Sequence, residues 1–317
     1  LLLFTNNHPH LLKDISPDGQ AIAGLLMGYG ALAFLVLCII LGLVVSFSRT
    51  YAARPGDDPT FREAQDEGGV EAKLAILVTL LVIGLGLWGL KVTWEIDKLP
   101  SGELKPDLVI VGHQWWWEIQ YPGTPVVTAN VAHIPAGKRL LVELRSADVV
   151  HDWWVAGLGR KMDAVPGRTN YFHMQADEPS THEGACNEFC GVQHAWMRIR
   201  VVAQTPEDYA AWIAQQSTDA ASPTSQTASK GAELFQSASC AACHQIRGTA
   251  ANVSIGPDLT HLASRPTILS GKMPYSKENL RAWLKDPQQE KPGAHMPRFI
   301  FSEDELDQLT EYLDGLK

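Results

Sequence analysis

The stretch from Ala21 to Phe47 runs for 27 residues without a charged side chain. As a helix it would rise about 40 Å, more than the roughly 30 Å hydrocarbon core of a bilayer. It also exceeds the ~7–15 apolar residues of a secretion signal. A second apolar run goes from Leu74 to Leu90, and Lys91 lies close enough to its end to reach the headgroups. Nothing comparable follows Trp94. Two spans are therefore expected, at about 21–47 and 74–94. The connection between them carries Arg49, Arg54, Arg62 and Lys73, whereas the preceding tail has only Lys13. Basic loops stay on the cytoplasmic side. Both termini, and everything after about residue 98, are then expected on the periplasmic or outer face of a bacterial inner (cell) membrane.

The 317 residues allow two or three compact units, and a net charge of −9 argues against a nucleic-acid partner. Beyond the spans, short β-branched and aromatic runs predict strands near 107–112, 115–121, 126–131, 139–146, 149–155, 168–174 and 197–203. Turn signals separate them, at Tyr121-Pro122-Gly123 and Val165-Pro166-Gly167 among others. A helix is expected near Pro206–Gln216, followed by a Ser/Thr/Ala-rich linker over 217–229. From Lys230 the pattern is helical. Helices are expected over Gly231–Ser237 and Ser276–Lys285, and a capping box at Ser302 and Glu305 opens a last one through Leu316. The predicted class is multidomain: a two-helix transmembrane hairpin within 1–98, an all-β domain over 99–216, the linker, and an all-α domain over 230–317.

Of the five cysteines, Cys38 sits inside the first span and reads as packing, while the others form two close pairs. Cys186-Asn187-Glu188-Phe189-Cys190-Gly191-Val192-Gln193-His194-Ala195-Trp196-Met197 gathers two thiols, an imidazole and a thioether into twelve residues. Soft sulfur with imidazole selects copper. His151 supplies a second imidazole from a separate strand end. Two thiolates can bridge two copper ions, with Met197 and the Glu188 carbonyl as weak ligands. Zinc held by two Cys and two His, or a Cys186–Cys190 disulfide, would be the alternatives; Met197 argues against zinc.

Cys240-Ala241-Ala242-Cys243-His244 is the attachment motif of a c-type haem, in which thioethers form at the two cysteines and the histidine becomes an iron ligand. A redox disulfide or half of a zinc site would also use Cys-x-x-Cys, but neither needs the following histidine.

The spacing Cys-x-Glu-x-Cys-Gly-x-x-His-x-x-Met resembles the copper A site of cytochrome c oxidase subunit II. So do Gly157–Arg168 after Val150-His151, and the run Gly112-His113-Gln114-Trp115-Trp116-Trp117. The resemblance covers about residues 15–215. It implies a cupredoxin barrel whose dinuclear copper A is held by His151, Cys186, Glu188, Cys190, His194 and Met197. It also implies a magnesium ion at the subunit I border reached by the Glu188 side chain. Trp115 matches the surface tryptophan that receives electrons from cytochrome c. Glu71 matches an acidic residue near a proton-uptake route. The family commonly has an aromatic where Thr181-His182-Glu183 stands here, and His182 is expected to be an exposed loop residue.

In the last domain, Gly256-Pro257-Asp258-Leu259 resembles the cytochrome c loop whose proline carbonyl orients the proximal histidine. Lys291–Pro297 resembles the loop carrying the axial methionine of class I cytochromes c. Met296 is the expected sixth ligand, with Met273 and His295 as rivals. The resemblance thus implies subunit II of a proton-pumping oxidase with a fused cytochrome c domain. Electrons would pass from an external donor through haem c and copper A to haem in subunit I, with subunit III and membrane lipid as further partners. A copper A subunit of a nitrogen-oxide reductase and a membrane-bound copper-delivery protein are the other readings.

Overall fold

The computed structural model describes residues 16–52 and 68–317. Lys13, Arg54 and Arg62, on which the expected topology partly rests, lie outside the described residues. Two long helices come first, α1 (Pro17–Thr50) and α2 (Gly68–Asp97), each long and apolar enough to cross a membrane. Large apolar side chains such as Leu26, Phe34, Leu80 and Leu87 cover their outer surfaces. A helix that is apolar all round is stable with such a surface in lipid rather than in water. The pair is keyed together by small residues, as membrane helices commonly are. Tyr29 Oη donates to Leu85 O at 2.8 Å, and its ring meets Trp88 edge-on at 5.9 Å. Gly28 lies under Trp88, where a Cβ would fall 2.6 Å from the indole.

Ten strands build the next unit: β1 (Leu108–His113), β2 (Trp116–Gln120), β3 (Val127–Ala129), β4 (Val131–Pro135), β5 (Leu140–Ser146), β6 (His151–Trp154), β7 (Met162–Ala164), β8 (Asn170–Met174), β9 (Ser180–Cys186) and β10 (Arg198–Gln204). They form two five-stranded sheets, ordered β3-β2-β1-β5-β8 and β4-β10-β9-β6-β7. The two inner faces share one core that includes Ile110, Trp117, Ile119, Leu144, Trp153 and Val201. Three strands were not expected. β4 runs into the turn signal Ile134-Pro135-Ala136-Gly137, and β7 has only three residues. β9 has almost no apolar alternation, and its buried positions are His182 and Cys186. His182 is therefore no exposed loop residue. It is buried in β9, with Nε2 2.9 Å from Ser180 Oγ.

Helix α3 (Pro206–Gln216) starts on a Thr205 cap and closes the β unit. The chain then reaches α4 (Gln226–Ser237), capped by Ser225, so part of the expected linker is helical. A two-stranded ribbon follows, β11 (Thr267–Ile268) with β12 (Met273–Pro274). After it come α5 (Lys277–Lys285), α6 (Pro287–Glu290) and α7 (Glu303–Asp314), the last opened by the expected capping box. Helices α4 and α7 cross at Gly231, where a Cβ would stand 2.0 Å from Gln308 O. Phe235 and Tyr312 meet edge-to-face beside that crossing at 5.9 Å.

Candidate metal and haem centres

The end of β6 and the β9–β10 connection bring the first cluster together. His151 is fully buried, and its Nε2 lies 2.7 Å from Asp148 Oδ1. Its Nδ1 has no hydrogen-bond partner. A buried imidazole nitrogen left unpaired is costly unless something binds it. Burial lowers the affinity of His151 for a proton, but Asp148 and Cys186 outweigh burial, so the net shift is upward.

Strand β9 ends on Cys186, whose backbone N–H donates to Met197 O at 3.0 Å, so the loop closes on itself. Cys186 Sγ lies 3.2 Å from Glu188 O and 3.8 Å from Cys190 Sγ. Cys190 Sγ lies 3.6 Å from His194 Nδ1 and 3.8 Å from Met197 Sδ. Both cysteines are free thiols. Ligand atoms of His151, Cys186 and Cys190 all fall within 4.8 Å of one another and could hold a metal ion. Through the hydrogen bond it shares with Cys190, Cys186 is pulled down while its neighbour is pushed up. The pair thus favours one thiolate beside one thiol, and a cation would release the remaining proton.

The second cluster lies in the helical unit. A single 3-10 turn, Cys240–Ala242, places Cys240, Cys243 and His244 on one bend, with His244 N donating to Cys240 O at 3.0 Å. The His244 ring donates through Nδ1 to Pro257 O at 2.8 Å. A carbonyl only accepts, so the proton sits on Nδ1 and Nε2 keeps its lone pair. Burial lowers the pKa of His244 and keeps the ring neutral. Gly256 packs flat on it, since a Cβ there would come within 2.6 Å of Cε1. These features suit a haem-iron ligand. Met296 and Met273 both pack against the core of this unit. The Met296 loop is braced by Gln288, whose Nε2 donates to Ala294 O at 2.8 Å and Met296 O at 3.0 Å.

Comparison with known proteins gives these clusters a family. Residues 125–204 match the profile described as "Cytochrome C oxidase subunit II, periplasmic domain", and residues 228–317 match "Cytochrome c". Cytochrome c oxidase subunit 2 of Alkalihalophilus pseudofirmus is 32% identical over 288 residues, covering 89% of this chain and 83% of that protein. The chain belongs to the cytochrome c oxidase subunit 2 family. The Bacillus subtilis subunit 2 is 31% identical over 260 residues, covering 76% of this chain and 72% of its own. The periplasmic domain of subunit II of cytochrome oxidase of Bradyrhizobium japonicum is 29% identical. It covers 36% of this chain and 95% of its own, at a TM-score of 0.34. As a subunit 2, the protein is part of an oxidoreductase complex. Its layout is a pair of apolar helices, a cupredoxin-like domain that implies copper, and a cytochrome c domain that implies haem.

Within this cytochrome c oxidase subunit 2, Trp115 is not at the surface: only 7% of it is exposed. Its Nε1 donates to Cys190 O at 3.0 Å. Glu188 is exposed, and its carbonyl, not its carboxylate, lies at Cys186 Sγ. Glu71 is exposed in the first turn of α2, away from both clusters in sequence. His295 is exposed and sets its ring 5.2 Å from that of Trp115. Sequence reasoning missed Asp148, which orients His151, and Gln114, whose Nε2 donates to Cys190 O at 2.7 Å. Asp148 is three residues from His151, so a carboxylate near a candidate ligand was the available signal. Gln114 had none.

Proposed function

We propose that this chain is the electron-receiving subunit of a proton-pumping cytochrome c oxidase, passing electrons from an external donor by way of haem c and a dinuclear copper A centre to haem in subunit I, where O2 is reduced to water. When bound, the two groups supply one-electron redox chemistry. The observation that carries the reading is the convergence of His151, Cys186 and Cys190 within 4.8 Å, with His194 and Met197 beside the Cys190 sulfur. In this reading Cys186, Cys190, His151 and His194 would hold the two coppers, with Met197 and the Glu188 carbonyl as weak ligands. Cys240 and Cys243 would hold the haem, and His244 and Met296 would bind its iron. The Glu188 side chain, which is exposed, is free to reach a magnesium ion at the subunit I border. Trp115 carries electrons toward Cys190, and Glu71 lies at a proton-uptake route.

The working organisation is an N-terminal tail and hairpin over 1–98, a copper domain over 99–216, a connection over 217–229 and a haem domain over 230–317. The hairpin sits in the lipid of a bacterial inner membrane beside subunits I and III, with both redox domains on the periplasmic or outer face. Residues 230–317 carry 10 basic and 11 acidic side chains, so the domain has no strong net charge to steer a donor. The test is the electron paramagnetic resonance spectrum of the oxidised protein. Hyperfine structure from one electron shared equally by two coppers supports the reading, and a single-copper spectrum overturns it.

A further inference from the structure

Lys291 is the most unusual cation among the described residues of the haem domain. Only 5% of it is exposed, and its Nζ leaves its own domain. It donates to Trp115 O at 2.9 Å, to Trp196 O at 3.0 Å and to Ser270 Oγ at 3.1 Å. An ammonium has three protons, and here each finds an acceptor. Burial draws this ammonium down to about 7, with Lys272 acting in the same direction and Cys190 opposing. Two of the acceptors belong to the copper domain, flanking the residues that gather at Cys190: Trp196 precedes Met197, and Trp115 bonds Cys190 O.

The socket is built from both sides. Ser270 Oγ also donates to Trp115 O at 2.7 Å, and Ser270 O accepts from Arg198 N at 3.1 Å. Leu269 and Ser270 hold left-handed backbone, with φ of 55° and 58°. Side chains other than glycine adopt that region at a cost and keep it where surrounding contacts require it. Next to Lys291, Pro292 O accepts from Gln193 Nε2 at 2.6 Å. Four residues further on, His295 places its ring against Trp115. One loop therefore carries the buried ammonium, the ring that covers Trp115 and the candidate axial Met296.

We propose that Lys291 is a positioning residue that latches the haem domain onto the copper rim, so that the loop carrying Met296 is held against Trp115. This role rests on the haem-to-copper relay proposed above. In that relay one electron leaves the reduced haem and one enters the copper pair, with no bond made and no proton moved. The latch sets the geometry in which this happens, and it occupies the Trp115 surface that an external donor would otherwise reach.

The test uses the full-length chain in the assembled oxidase, with Lys291→Met and Ser270→Ala. Hydrogen–deuterium exchange is read at the β1–β2 connection and at residues 269–272. Transfer from haem c to copper is timed after flash reduction of the haem. Lys291→Met is expected to speed exchange at both segments and to slow transfer, each by about tenfold or more, as befits loss of a charged hydrogen-bond donor. Helices α4 and α7 keep their protection. Ser270→Ala, which removes one acceptor of the ammonium together with the bond that Ser270 Oγ donates to Trp115 O, is expected to move both readings in the same direction by about threefold. Unchanged exchange and transfer in Lys291→Met overturn the latch. If Lys291→Met costs α4 and α7 their protection, Ser270→Ala decides, and wild-type exchange and transfer in that variant overturn it. A wild-type protein in which flash-reduced haem never passes its electron to copper would sink the relay instead, while the exchange arm still reads the latch.

Discussion

The indole Nε1 of Trp115 donates to the carbonyl oxygen of Cys190 at 3.0 Å, although the two residues stand 75 positions apart. If Cys190 holds copper as proposed, this buried donor on its carbonyl would give a through-bond route from the indole to the sulfur. Trp115→Phe keeps an aromatic ring and removes the donor. Transfer into the copper centre is expected to slow by roughly tenfold, equivalent to about 1.4 kcal/mol of barrier. The copper spectrum stays unchanged. Flash photolysis with the haem pre-reduced reads the rate, and a wild-type rate would remove this bond from the path.

Axial ligation is open to a direct comparison. With Met296 on the iron, Met296→His keeps the haem six-coordinate and lowers its midpoint potential, because thioether ligation favours the reduced state. Met273→Leu leaves the potential where it was. A spectroelectrochemical titration of both variants separates them, and the assignment reverses if Met273→Leu is the one that shifts.

Replacing a thiolate by a hydroxyl removes the soft ligand that selects copper. In Cys190→Ser, copper content is expected to fall to background while covalently bound haem is retained, since Cys186 and Cys190 belong to one core and Cys240 packs against another. Metal analysis alongside a haem assay checks this. Loss of both groups together would mean that the two domains do not fold independently.

Gly231 has no room for a side chain, because a Cβ would stand 2.0 Å from Gln308 O. Backbone cannot yield as a flexible side chain can. Gly231→Ala should therefore destabilise the haem domain by about 1–3 kcal/mol or more through overpacking. Denaturant unfolding followed through the haem absorption provides the measurement.

Glu303 accepts from Arg281 and, at 2.8 Å, from Lys285 Nζ; these partners hold its carboxyl down at about 2. A carboxylate with a depressed folded pKa stabilises the fold above its unfolded value of 4.5, and that contribution disappears as pH falls toward 2. Glu303→Gln should therefore lower the haem domain's melting temperature slightly at pH 7. The gap to wild type should close below pH 4.5 and also at high salt, because the group is fully exposed. Melting curves across pH and salt would show a constant gap if the ion pairs contribute nothing.

The residues that could bind copper and haem were legible because their chemistry is local. Cys186, Cys190, His194 and Met197 fall within twelve residues, and Cys240, Cys243 and His244 within five. Such spacing survives any tertiary arrangement. The two apolar helices were equally plain, since a charge-free run of 27 residues needs no partner to be recognised. Strand β9 was not legible, because its buried positions are a histidine and a candidate ligand and it lacks an apolar alternation. The burial of Trp115 was not legible either. Residues far along the chain meet this tryptophan: the His295 ring packs on its indole, and Lys291 Nζ and Ser270 Oγ, 176 and 155 residues away, donate to its carbonyl.

By itself, then, the sequence determined which side chains could bind copper and haem and which segments could cross a bilayer, because each depends on neighbours along the chain. Only the tertiary structure decided that the Lys291 ammonium enters the copper domain and that Trp115 lies beneath the haem domain's own loop. That ammonium finds its three acceptors on two domains, and no local pattern records which distant carbonyls folding will leave within 3 Å of it.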